Sequence, residues 1–93
     1  MDKKSTTTID VQIAQKGEEL TQAQITQTNA YSEYMKVMKA KLIVSEGETD
    51  KIQKLDKLMF EHFTTYQNAL EDAQKLELEL SELESQKYLE EIF

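Results

Sequence analysis

Cysteine, proline, tryptophan and arginine are absent from this chain of 93 residues, and glycine occurs only as Gly17 and Gly47. Without cysteine the chain can form no disulfide and no thiolate metal site, and it has no thiol nucleophile. A β-rich fold normally needs more turn-forming glycine and proline than this, whereas long helices need few. The composition therefore predicts an all-α fold.

The absence of arginine leaves lysine as the source of all positive charge, and the net charge is −7. Residues 1–57 carry nine lysines and nine acids, whereas residues 58–93 carry two lysines and nine acids. Arginine is the preferred residue for bidentate recognition of phosphate and guanine, and an acidic domain repels a polyanion. We therefore expect no direct binding of nucleic acid.

The chain also lacks any apolar run close to the roughly 20 residues that a membrane-spanning helix requires. Its first ten residues, MDKKSTTTID, contain two lysines but no apolar block after them, which argues against a cleaved secretory signal peptide. We expect a cytoplasmic protein without a membrane span; export by a system other than the general secretory one is the alternative.

What the chain does contain is a heptad pattern in its second half. Spacings of three and four residues place ten positions on one stripe of a helix, and nine of them are apolar or aromatic. They are Ile52, Leu55, Met59, His62, Tyr66, Ala69, Ala73, Leu76, Leu80 and Leu83. Thr49 or Asp50 is suited to cap such a helix, with Gln53 completing a capping box. The pattern predicts a second helix over residues 50–91.

The first half is less regular but also favours a helix, over about residues 10–45. Its predicted inner stripe consists of Ile13, Gly17, Leu20, Gln24, Gln27, Tyr31, Tyr34, Met38 and Leu42. Residues 1–9 are predicted to form a flexible or short extended tail. The alternation of Ile9, Val11 and Ile13 leaves a short strand as an alternative.

The segment SEGETD, residues 45–50, predicts a turn between the two helices. Gly47 would end the first helix in the left-handed conformation that glycine adopts easily. The result is an antiparallel hairpin in which residues whose numbers add to about 94 face each other. Tyr31 would then lie near Phe63 and Tyr34 near Phe60. The turn would also close an apolar cap, formed by Leu42, Val44 and Met38 against Ile52, Leu55 and Met59.

The second helix has more apolar residues than one seam can cover, which predicts further association. A two-helix hairpin is a single layer, whereas stable domains bury faces between layers. We expect a four-helix bundle or coiled-coil dimer, formed with a second copy or with a helical protein partner. The residues predicted to form this interface are Leu58, Phe60, Phe63, Leu70, Leu76, Leu78, Leu80, Leu83, Leu89, Ile92 and Phe93.

The distribution of charge suggests how two copies would be oriented. Lysines gather around the turn, and acidic residues gather towards the far end of the second helix. Two hairpins packed head to tail would bring each lysine-rich turn beside the acidic end of the other. An antiparallel dimer is therefore our hypothesis.

Residues suited to catalysis or metal binding are sparse. His62 is the only histidine, and Met59 stands where a di-iron bundle would need a glutamate three residues before it. The sequence has no Ser/His/Asp constellation and no glycine-rich phosphate loop. We expect no enzymatic activity, no cofactor, no metal and no small-molecule substrate, with His62 a packed helix residue.

Three functional hypotheses fit these features. The leading one is a non-enzymatic helical interaction protein, which would be an adaptor, a small chaperone or a regulator. The second is a small secreted or chaperone component of a type III or type VII secretion system. The chain is similar to type VII substrates in length and hairpin outline. Its turn reads SEGE, without their tryptophan, and the position four residues after Tyr88, where those substrates have an acid, is Ile92. The third is an acidic decoy of a basic nucleic-acid-binding partner.

Overall fold

Two long helices form the part of the chain that the computed structural model describes, which is residues 2–93 with side chains from residue 8 onward. Helix α1 spans Asp2–Leu42 and helix α2 spans Thr49–Ile92. They pack side by side and antiparallel in a body of 71 × 15 × 14 Å. No strand occurs within residues 2–93, so the predicted all-α hairpin is confirmed.

The first helix begins at Asp2, earlier than the start near residue 10 that the sequence predicted. The strand alternative is wrong, because the alternating apolar residues lie within α1. Ile9 and Ile13 are one helical turn apart and are both half-buried, whereas Val11 between them is exposed. Met1, the first residue of the predicted tail, lies outside the described residues.

The connection between the helices occupies residues 43–48 and does not depend on glycine. Gly47 lies in it, but no described residue, Gly47 included, has a positive φ. The last turn of α1 instead tightens, because the N–H groups of Ile43 and Val44 donate to carbonyls three residues back, at 3.2 and 3.3 Å. The prediction that a left-handed Gly47 stops the first helix is therefore wrong.

The residue that caps helix α2 precedes both predicted caps, Thr49 by one position and Asp50 by two. This N-cap is Glu48, whose carbonyl accepts a hydrogen bond from the Ile52 N–H at 3.0 Å, and no side chain caps this end. The Glu48 carboxylate turns back into the connection, where it accepts a hydrogen bond from the Ser45 N–H at 3.3 Å. Thr49 and Asp50 lie inside the first turn, so their prediction as caps is wrong. Asp50 still favours this end through the helix dipole.

The inner face of α2 agrees with the predicted heptad pattern. All ten predicted seam residues, from Ile52 to Leu83, are buried or half-buried. Ala73 and Ala69 are the most enclosed of them, with 3% and 5% of their surface exposed. Small side chains at these positions let the two helices come close together at mid-length.

The inner face of α1 differs from the predicted stripe at three of its nine positions. Gln24, Tyr31 and Leu42 are exposed, and Ala30 and Val37 face α2 instead. The prediction followed the larger apolar side chains of Tyr31 and Met38, whereas the helix turns small Ala30 inward. The residues that line this face at spacings of three and four are Ile13, Lys16, Leu20, Ala23, Gln27, Ala30, Tyr34, Val37, Lys41 and Val44.

The register of the hairpin is shifted by up to three residues from the predicted one. The ring of Tyr31 packs on Tyr66 with centroids 5.5 Å apart, and the ring of Tyr34 packs on Phe63 at 5.6 Å. Tyr31 and Tyr34 were predicted to lie nearest Phe63 and Phe60. Of the residues predicted to form the apolar cap, Leu42 is 80% exposed, whereas Met38, Val44, Ile52, Leu55 and Met59 are half-buried. Packing of the aromatic rings beside small alanines, and not the position of Gly47, sets the register.

Candidate interaction surface

The residues predicted to form an interface fall into two groups. Leu58, Leu70, Leu76, Leu80 and Leu83 are half-buried, and the last three of these belong to the seam between α1 and α2. The exposed group comprises Phe60, Phe63, Leu78, Leu89, Ile92 and Phe93. Only this exposed group is fully available to a partner.

The hairpin has no core of large side chains. Among the described residues, the buried hydrophobic ones are all alanines: Ala30, Ala69 and Ala73. The accessible surface is 7234 Å². A compact monomer of 10.8 kDa is expected to expose about 5,500 Å². The hairpin therefore exposes on the order of 1,700 Å² more than a globular chain of its mass.

One side of the hairpin carries a continuous apolar surface at the end near the turn. Tyr31 packs on Tyr66 of α2, and Phe63 packs on Tyr34 of α1. Tyr66 and Tyr34 belong to the seam, so Tyr31 and Phe63 lie on the same side of it. Met35 and Leu42 follow Tyr31 by four and eleven positions and lie on its stripe of α1. Phe60 and Leu70, three positions before and seven after Phe63, lie on its stripe of α2. We call this surface the aromatic flank; it consists of Tyr31, Met35, Leu42, Phe60, Phe63 and Leu70.

The aromatic flank is ordered by ring contacts but is open to solvent. Tyr31 packs on Tyr34 with centroids 6.4 Å apart, and Phe63 packs on Tyr66 at 6.1 Å. These contacts cover only one face of each outer ring, since half of Tyr31 remains exposed and Phe60 is 72% exposed. Rigid aromatic rings held in this way are typical of the energetic centres of protein interfaces.

Sequence reasoning found Phe60, Phe63 and Leu70 of this flank but assigned Tyr31 and Leu42 to the inside and did not single out Met35. The sequence nevertheless contains a pattern that predicts these three residues on one face. Tyr31, Met35 and Leu42 recur at spacings of four and seven residues, which is a second apolar stripe beside the inner one.

The opposite side of the seam, which we call the polar flank, is hydrophilic. Thr65 and Asn68 lie two residues from Phe63 and Leu70, about 200° round the helix from them. Together with α1 they line an open groove whose walls are mainly glutamine, threonine and charged side chains. The lining residues include Gln15, Glu19, Gln22, Thr26, Asp72, Lys75 and Glu79.

An ion pair crosses the seam on the polar flank. The Lys16 Nζ atom lies 2.9 Å from Glu79 Oε1, and both side chains are about one-third exposed. This hydrogen bond lowers the pKa of Glu79 and raises that of Lys16. On the other side of the seam Lys87 pairs with Asp10 at 2.8 Å, and this bond raises the pKa of Lys87. Both pairs join α1 to α2 in the distal half.

The C-terminal end of α2 carries further exposed apolar residues among its acids. Leu78, Tyr88, Leu89 and Ile92 are exposed by more than half, and Phe93 is 96% exposed. Leu78, Tyr88, Leu89 and Ile92 lie within about 100° of one face of α2. Between Leu78 and Tyr88 that face is interrupted by Ser81, Glu82 and Ser85. The aromatic flank is therefore the more continuous surface.

Charge divides the hairpin along its length. Residues 36–57, around the turn, carry six lysines and four acids, for a net charge of +2. Residues 71–93 carry two lysines and eight acids, for a net charge of −6. Lys41 pairs with Asp56 across the seam at the turn end. The two ends of the molecule are thus of opposite sign.

Residues suited to chemistry are not brought together by the fold. His62 is half-buried in the seam, as expected for a packed helix residue. Within the described residues, no three His, Asp or Glu side chains are grouped so as to hold a metal ion. The grooves of the polar flank contain acids and lysines but no histidine.

Neither helix, over the described residues, has the apolar length that crossing a bilayer requires. Comparison with protein-family models, curated proteins and solved structures finds no match to this chain.

Proposed function

We propose that this chain is a non-enzymatic helical interaction protein of the adaptor, small-chaperone or regulator type. It acts by packing the exposed apolar surface of its hairpin against a second helical surface. The hairpin would contribute two helices to a bundle whose remaining helices come from the partner.

The observation that carries this proposal is that no large side chain is buried over residues 8–93, where all three phenylalanines are exposed. Burial of one large apolar side chain is worth about 1.5–3 kcal/mol. The seam between α1 and α2 uses small alanines at its most enclosed positions, so the large apolar groups outside it gain this energy only from another surface. Exposed patches of this kind mark interaction sites in soluble proteins.

The aromatic flank is the best candidate for the centre of the contact. Its Tyr31 and Phe63 rings are held by packing on Tyr34 and Tyr66, so these two side chains lose little conformational entropy when a partner covers them. The charges at the two ends of the hairpin would orient the partner and reject surfaces of the wrong sign.

The proposal can be tested by affinity capture from an extract of the host organism with three matched baits. These are the wild-type chain, Phe60→Glu on the aromatic flank, and Asn68→Glu on the polar flank. Both substituted positions are exposed on α2, so circular dichroism should show the same helix content for all three baits. The Leu80 position is unsuitable because it lies in the seam, where a charge would unfold the hairpin.

We expect the wild type and Asn68→Glu to retain the same protein in stoichiometric amount, and Phe60→Glu to lose it. That protein is either an untagged copy of this chain or a different helical protein. Equal retention by all three folded baits, or retention by none, would contradict the proposal.

A further inference from the structure

We propose that the aromatic flank binds the aromatic flank of a second copy of this chain, in an antiparallel dimer whose two-fold axis passes near Phe63. This inference rests on the proposed function and names the partner. The dimer is a four-helix bundle over the turn-proximal part of each hairpin.

The area available fits a dimer of this kind. Each hairpin exposes on the order of 1,700 Å² more than a compact chain of its mass, so two hairpins have about 3,400 Å² to bury. Permanent homodimers bury about 2,000–5,000 Å² in total. A second layer supplied by an identical hairpin therefore removes the excess surface.

The aromatic flank is suited to contact its own copy. A two-fold interface places the same patch on both subunits. An axis near Phe63 sets Phe63 beside its own copy and brings Phe60 and Tyr31 towards the apolar side chains of the second hairpin. These rings are the exposed ones on the flank, and no charged residue belongs to it. Self-association consequently buries no unpaired charge at the centre.

Charge determines the orientation. The turn end has a net charge of +2 and residues 71–93 a net charge of −6. In an antiparallel dimer centred near Phe63, the turn end of each copy lies level with residues 65–80 of the second copy, which carry four acids and one lysine. A parallel dimer would place the two acidic ends side by side and the two lysine-rich turns side by side, which repel.

The position of the flank also determines how far the two hairpins overlap. Thr49 lies 14 residues before Phe63, which is about 21 Å of helix at a rise of 1.5 Å per residue. With the connection, each copy extends about 25 Å from the axis to its turn, so the overlap is about 50 Å. Two hairpins of 71 Å then form a particle about 90 Å long. Full overlap would leave the length near that of one hairpin.

The test uses the absence of native cysteine, which lets each variant carry a single thiol. A Glu46→Cys chain, whose single thiol lies at the turn, is mixed with a Ser81→Cys chain and treated with a short bismaleimide. Ser81 is exposed on α2, on the same side as Phe60, three turns further along from Leu70. The matched control is Glu82→Cys, which is also exposed but lines a groove of the polar flank.

We expect Glu46→Cys to cross-link to Ser81→Cys at least fivefold more than to Glu82→Cys, and not to a second Glu46→Cys chain. Introducing Phe60→Glu into both partners should abolish the product, whereas Asn68→Glu should not. X-ray scattering of the wild type should give a maximum dimension near 90 Å.

Self-linking of Glu46→Cys would overturn the antiparallel arrangement. Equal linking to Ser81→Cys and Glu82→Cys would overturn the assignment of the flank. A wild-type chain that stays monomeric at 100 micromolar and low salt would overturn the dimer itself. The proposed function would then still stand if the host extract supplies a different partner that Phe60→Glu fails to bind, and it would fall with the dimer if none is retained.

Discussion

Replacing Gly17 by alanine should stabilise the protein by about 1 kcal/mol. Gly17 lies in the interior of α1, far from either end of a helix that spans Asp2–Leu42. Glycine in such a position costs about 0.8–1.0 kcal/mol relative to alanine, because the unfolded chain loses more backbone freedom on folding. A methyl group built at this position meets no atom within 4 Å, so no clash offsets the gain and no packing adds to it. The hydrogen bond that the Thr21 hydroxyl donates to the Gly17 carbonyl, at 3.0 Å, does not involve the new group.

Thermal unfolding followed by circular dichroism, at one fixed protein concentration, measures the effect of Gly17→Ala. A gain of 1 kcal/mol should raise the midpoint by about 4–8 °C in a domain of this size. Ala14→Gly is the matched control, because Ala14 is exposed one turn earlier on the same surface of α1. It should lower the midpoint by a similar amount. A fall in the midpoint of Gly17→Ala, with the expected fall for Ala14→Gly, would refute the reasoning and show that another surface packs closely on Gly17.

Three further predictions concern the connection, the seam and the ion pair. Gly47→Ala should raise the free energy of unfolding by about 0.4–1 kcal/mol in urea titration, since Gly47 has no positive φ and open space around it; a loss would indicate a left-handed turn. Ala73→Leu should lower that free energy by about 1–3 kcal/mol, because Ala73 is 3% exposed between the helices; an unchanged midpoint would show that the seam has room. The hydrogen bond from Lys16 lowers the pKa of Glu79 below its ordinary value of 4.5, so the stability that this bond adds is present above pH 4.5 and is lost as pH falls through the lowered pKa. The difference in unfolding free energy between wild type and Glu79→Gln should therefore shrink on acidification, and a constant difference from pH 7 to pH 2 would contradict the assignment.

The hairpin and the inner face of α2 were predictable because both follow from regular patterns. Ten positions with spacings of three and four residues define one helical stripe whatever the partner is. A cluster of turn-forming residues between two helical stretches leaves few alternatives to a reversal of the chain. Both inferences depend on local periodicity, which the sequence displays directly.

The inner face of α1 was not predictable in the same way, because two stripes compete on that helix. Tyr31 and Met38 lie on one of them and Ala30 and Val37 on the other. Hydrophobicity alone favours the larger residues, but the buried positions among the described residues are occupied by small alanines. Which stripe turns inward is decided by α2, whose own alanines at positions 69 and 73 need a close neighbour. The choice therefore depends on tertiary packing, which the periodicity of α1 alone does not contain.

The details of the turn escaped prediction for a different reason. The sequence contains glycine, serine and threonine at suitable places for a left-handed stop and a side-chain cap, and each has a known preference for that role. The chain instead ends α1 by tightening its last turn, and the Ser45 N–H donates a hydrogen bond to the carboxylate of Glu48. Several local solutions of similar energy exist here, and residue preferences of about 1 kcal/mol do not select among them.

We propose that one hairpin cannot bury its own apolar surface. Sedimentation equilibrium of the purified wild-type chain and of Phe60→Glu, at low salt and micromolar concentrations, tests this claim directly. Each dimer loses two buried phenylalanines in the variant, which is about 3–6 kcal/mol, so its dissociation constant should rise at least about a hundredfold. We predict twice the chain mass of 10.8 kDa for the wild type and the single mass for Phe60→Glu. A wild-type chain that sediments as a monomer, unfolds cooperatively and is as stable as Phe60→Glu would contradict the account.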